Sequence, residues 1–150
     1  MKIYTIIIFI FLAPLTSLAG AEDQFVFIFD KHNEALKRGD VKELEKYLVE
    51  IQASVFKECL ADRRCGEGAI RGMKNGALSQ YSITNFVEYA KGSRILKLQD
   101  KNAKIDKVNG PAVQLYYEGI EVRGFAGKGH TTFIVEDGAW KISTTTWGAR

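Results

Sequence analysis

The spacing of large apolar residues changes once along this chain, near Gln80. Before it they recur at every third or fourth position, and after it they alternate. A spacing of three and four lines up one stripe of a helix, whereas alternation lines up one face of a strand. A chain that runs helical first and alternating second is expected to be α+β, with N-terminal helices packed into an antiparallel sheet.

In "DQFVFIFDKHNEALKRG", Phe25, Ile28, Phe29, His32 and Leu36 share one helical stripe. Asp23 is the expected N-cap and Gly39 the stop. Asp40 and Glu43 then have the spacing of a capping box. A second helix is expected over 41–53, with Val41, Leu44, Tyr47, Leu48 and Ile51 on one face. A glycine stop followed directly by a new cap makes the two helices meet at a sharp angle. Farther on, "VFKECLAD" makes two helical turns, and "GAIRGMKNGAL" makes a further helix weakened by Gly68, Gly72 and Gly76.

Strands are expected over 81–89, 94–98, 103–108 and 112–118, followed by a closing hairpin in "GHTTFIVEDGAWKIS". Asn109-Gly110 and Asp137-Gly138 are two-residue turn signals. With Glu136 opposite Ala139, Val135 faces Trp140 and Phe133 faces Ile142, on one side with Thr131 and Thr144. The other side then carries His130, Thr132, Ile134, Lys141, Ser143, Thr145 and Trp147. One face is apolar and the other mostly polar, as in a sheet that helices cover on one side.

The first residues, "MKIYTIIIFIFLAPLTSLAGA", have the layout of a secretory signal peptide: Lys2, an apolar run over 3–12, then Pro14 and small residues. The run is shorter than the roughly 20 residues of a spanning helix. Cleavage is expected after Ala19 or Ala21, leaving one domain over 22–150, exported to a periplasm or outside the cell, with no stable membrane anchor. Losing Lys2 and no acid takes the formal charge from +3 to +2. That excess is too small to argue for nucleic acid, and Asp62-Arg63-Arg64 reads as a solvated helix end. Cys59 and Cys65, separated by five residues, form a disulfide in such a compartment, adding about 2–3 kcal/mol locally. The spacing is neither a redox Cys-x-x-Cys nor a metal site.

Among polar residues His32 stands out, because it sits on the apolar stripe of the first helix. It reads either as a polar group in a pocket or as a satisfied core histidine. Tyr117 shares the apolar face with Val113 and Leu115, while Tyr116 points the other way, and His32 is a conceivable partner for the Tyr117 hydroxyl. His32, Tyr117, Phe133 and Trp140 are the pocket candidates. His130, Ile134 and Trp147 are a candidate contact patch, or a face covered by the C-terminal tail. No nucleophile elbow, phosphate loop or zinc spacing occurs, and no cofactor or metal is expected.

Ala35-Leu36-Lys37-Arg38-Gly39-Asp40-Val41 and Glu136-Asp137-Gly138-Ala139-Trp140-Lys141-Ile142, with "AKIDKVNGPAVQLYYEG" between them, resemble the nuclear-transport-factor-2-like superfamily, of cystatin-like and ketosteroid-isomerase type. The resemblance implies a cone-shaped fold, in which a strongly curved sheet wraps a long N-terminal helix, often with a pocket in its mouth. It also implies dimerisation through the outer sheet face. The superfamily holds isomerase-like and cyclase-like enzymes, ligand binders and interaction modules, so fold alone does not choose a function. The acid base and donor set of the isomerase-like members has no match here, since the inward hairpin face carries no carboxylate. The expected function is non-enzymatic binding of a protein partner or a small apolar ligand. The alternatives are an isomerase- or cyclase-like enzyme using His32 and a tyrosine, an envelope or secretion component, and an immunity protein.

Overall fold

Gly39 ends the first helix by adopting φ +68°. Its N–H donates to Leu36 O (3.0 Å) and that of Asp40 to Ala35 O (2.9 Å), the bond pair that closes a helix around a left-handed residue. The computed structural model describes residues 19–99, 102–107 and 110–149. Four helices, α1 (Ala19–Arg38), α2 (Val41–Glu45), α3 (Glu50–Ala61) and α4 (Arg63–Gly76), precede six strands. These are β1 (Leu78–Tyr89), β2 (Arg94–Gln99), β3 (Asn102–Lys107), β4 (Ala112–Glu121), β5 (Ala126–Glu136) and β6 (Ala139–Ala149). The architecture is α+β, with an antiparallel sheet in the order β1-β4-β5-β6 and a separate β2-β3 hairpin.

Most of the expected signal peptide, residues 1–18, lies outside the described residues, as do Val108 and the Asn109 half of the expected Asn109-Gly110 turn. No described helix is long and apolar enough to cross a membrane. Asp23 is not the N-cap of α1, because the helix already runs from Ala19. Ala19, Ala21 and Glu22 are residues that a helix accommodates at little cost.

The expected second helix is two helices. Asp40 caps α2 by accepting the Glu43 N–H (3.1 Å). The Glu43 carboxylate does not complete the box and instead accepts from Lys46 and from the Tyr47 hydroxyl. The helix then breaks because the backbone of 47–49 pairs with β6: Ile142 N–H donates to Tyr47 O (2.7 Å) and Val49 N–H to Ile142 O (3.0 Å). When α3 starts, its phase is new. Ile51, expected on the buried face, is 71% exposed, while Leu44, Leu48 and Ala53 are buried.

The short connection from α3 to α4 is closed by the Cys59–Cys65 disulfide (S–S 2.02 Å). Asp62 caps α4 by accepting the Cys65 N–H (2.8 Å). Arg63 pairs with Glu67 one turn along, so the basic cluster is a solvated helix end.

The core forms where α1 lies on the sheet. Phe25 packs on Phe86, Phe133 and Trp140, with ring centroids 5.6, 5.1 and 4.9 Å away, and Phe29 packs on Tyr81 and Tyr117. Around the Asp137-Gly138 turn, where both residues have positive φ, the register is the expected one. Val135 pairs with Trp140 and Phe133 with Ile142. Val135, at the hairpin end, is nevertheless 42% exposed.

Beyond Ile142 the expected register is wrong by one residue. Thr132 pairs with Thr144 and Thr131 with Thr145, so Ser143 is the extra residue of a β-bulge. A slip of one reverses every later side chain. Thr145 and Trp147 therefore turn to the helix-covered side, where Trp147 stacks on Tyr117 (5.9 Å between ring centroids, 17° between planes). The candidate patch of His130, Ile134 and Trp147 is not one patch.

Candidate functional site

Beside β6, where α1, α2 and α3 approach it, lies a groove. Its apolar lining is Leu36 of α1, Leu44 of α2, Leu48, Phe56 of α3 and Ile142 of β6. Its polar lining is His32, Gln52 and the β6 run Ser143, Thr144, Thr145 and Thr146. The groove has a volume of about 420 Å³, within the range of about 300–1,000 Å³ for small-molecule sites. A smaller pocket of about 50 Å³ lies on the other side of His32, among Phe29, Asn33, Leu78, Tyr117, Thr145 and Trp147.

His32 borders both spaces and is 6% exposed. Phe25, Phe29 and Leu36 come from the same stripe, which is why the imidazole is carried inward. Its ring nitrogens have no hydrogen-bond partner among the described residues. Burial alone lowers its pKa to about 4, so the ring is neutral at pH 7. Near it, Trp147 Nε1–H is buried and has no acceptor.

Tyr117 is buried on the same pocket, but its hydroxyl is not paired with His32. It lies toward Gly129, where an added Cβ would come within 3.1 Å of the phenol oxygen. Burial raises the phenol to about 12, with the Thr131 hydroxyl acting in the opposite direction. Thr131 and Thr145 share a hydrogen bond of 3.3 Å across β5 and β6.

Of the expected pocket residues, His32 and Tyr117 come together, whereas Phe133 and Trp140 line neither space and pack around Phe25. On the opposite face of the sheet, half-buried His130 packs at a tilt against Tyr116 (5.2 Å between ring centroids) and Ile134 sits across from Ala112. Burial lowers the His130 pKa. That face is polar and internally bonded: Gln114 Oε1 accepts from the hydroxyls of Tyr89 (2.9 Å) and Tyr116 (2.8 Å), and its amide donates to Thr132 (3.2 Å).

Asn33, Gln52, Thr145 and the groove-lining role of Leu48 escaped the sequence reading. Asn33 adjoins His32 on α1, and that adjacency was the available signal. Thr145 was hidden by the bulge. Among the described residues no cluster of three or more His, Cys, Asp or Glu is placed to hold a metal ion. No family model matches the chain, and neither a curated protein nor a solved structure is significantly similar to it.

Proposed function

We propose that this chain is an exported module of the nuclear-transport-factor-2-like type that holds a small, largely apolar ligand in the groove beside β6 and performs no chemistry on it. The observation that carries this reading is His32, a buried and unpartnered polar side chain bordering a groove of about 420 Å³ with mainly aliphatic and hydroxyl walls. A polar group left unbonded in a core is costly, and one that faces a site can be satisfied there. Support for the fold type comes from α1 packed along the sheet and from bulges in β1 and β6, which bend the strands that carry them. The disulfide between α3 and α4 agrees with export to an oxidising compartment.

The rival reading makes His32 and Tyr117 an acid–base pair. A base near 4 and a phenol near 12 are both far from neutrality, where neither exchanges a proton efficiently. Among the described residues neither pocket lining contains a carboxylate that could take the role.

Native mass spectrometry of the chain recovered from its own exported fraction tests the proposal. A small molecule that stays bound in the native spectrum and is lost on denaturation is the expected result. A bare chain, or one carrying only another protein, overturns it.

A further inference from the structure

We propose that the ligand of this groove is an uncharged molecule with an apolar body and one hydrogen-bonding oxygen, as an alcohol, amide or ketone, directed at His32. The inference rests on the groove reading above and adds the chemistry of the ligand.

The inner end of the groove supplies the polar contacts. A neutral imidazole offers one N–H and one lone pair, and His32 spends neither on the described residues. An oxygen that accepts from the ring N–H, or an alcohol O–H or amide N–H that donates to the ring lone pair, matches those groups. Gln52 of α3 adds a further uncharged polar side chain.

The absence of charge from the walls excludes ionic ligands. Among the described residues no Lys, Arg, Asp or Glu lines either space. A carboxylate brought in would be stripped of water with no cation to meet it. It can enter only as the neutral acid or by protonating His32, whose pKa is about 4, and either route costs at least about a hundredfold in affinity at pH 7. An ammonium group fares no better, because no carboxylate among the described residues lines the groove to meet it.

The test uses the chain with Trp140→Phe, which leaves Trp147 as the sole tryptophan reporter. The probes are 4-phenylbutan-1-ol, 4-phenylbutanamide, 4-phenylbutanoate and butylbenzene. Fluorescence titrations at pH 7 should show the alcohol and the amide binding best. Butylbenzene should be about 5–10-fold weaker, the effect of one net hydrogen bond. The butanoate should be weaker by at least about 100-fold and should tighten as the pH falls. His32→Leu should bring the alcohol and the amide down to the level of butylbenzene. His32→Phe, which keeps an aromatic ring of similar shape and removes both ring nitrogens, supplies the same comparison if His32→Leu does not fold. Butanoate binding as tightly as the amide at pH 7, or butylbenzene binding as tightly as the alcohol, overturns the inference and leaves the groove reading standing. A folded protein that binds none of the four at millimolar concentration overturns both.

Discussion

Asn33 of α1 clamps the backbone of Leu78, the first residue of β1. Its Oδ1 accepts the Leu78 N–H at 2.8 Å and its Nδ2 donates to Leu78 O at 2.9 Å. A side-chain amide thus does for the strand what a neighbouring strand would do, and it fixes where the helix layer meets the sheet. All the groups concerned are buried.

Replacing Asn33 by Leu keeps the size of the side chain and strands both Leu78 groups without partners. The expected loss is about 2–4 kcal/mol, because buried unpaired backbone groups cost about 1–3 kcal/mol each. Urea unfolding of the variant beside wild type reads it. A loss below about 1 kcal/mol means that the clamp is wet and contributes little.

The hairpin tip caps a helix far from it in sequence. Glu136 Oε2 accepts the Glu50 N–H (2.8 Å) at the start of α3, where the N-cap residue Val49 has no side chain able to do so. Glu136→Ala should cost about 1 kcal/mol, the usual effect of a lost cap. Hydrogen exchange in the first turn of α3 should quicken while that of α4 stays as it was. Uniform quickening across both helices would assign the loss to the hairpin instead.

The parts of this fold that were legible in the sequence are those decided locally. The α1 stripe, the Gly39 stop and the pairing around Asp137-Gly138 follow from side-chain period and turn chemistry. The break at 46–49 was not legible, because Tyr47 and Leu48 suit a helical stripe as well as a bridge. Their partner Ile142 lies in the last strand. The bulge left no trace either: in Ser143-Thr144-Thr145-Thr146 every position is a small hydroxyl, so a one-residue slip leaves the pattern unchanged. That slip moved Trp147 to the helix-covered side, where it lines the smaller pocket together with Thr145. The site was therefore half legible, with His32 visible on its stripe and its neighbours set by long-range pairing.

The Cys59–Cys65 bridge closes a short loop between α3 and α4, and Phe56 and Gln52 of α3 line the groove. Cys59→Ala/Cys65→Ala should lose about 2–3 kcal/mol, the loop-closure effect for such a separation. The strands should keep their exchange protection, since Asp62 still caps α4 and the sheet does not use the bridge. Equal loss of protection in the strands and in α3 would show that the helix pair and the sheet unfold as one unit.

Stability should also depend on pH through His32. Its folded pKa, about 4, lies below the unfolded value of 6.5, so the unfolded chain binds the extra proton between those limits. The contribution of the neutral, buried ring is complete above pH 6.5, declines as the pH falls toward 4, and changes no further below that. The span corresponds to about 3 kcal/mol, an order-of-magnitude value for a buried group. Asp30, raised by burial and by Glu34, acts in the opposite sense, and the lowered Glu34 and Glu43 act in the same sense as His32. All three carboxyls are present in both proteins when wild type is compared with His32→Leu, so their effects cancel. Urea unfolding at pH 7.5 and at pH 4 should show wild type losing about 3 kcal/mol more than the variant. Parallel losses in the two proteins would mean that His32 reaches water and titrates near its ordinary value, and the groove would then lack its buried polar end.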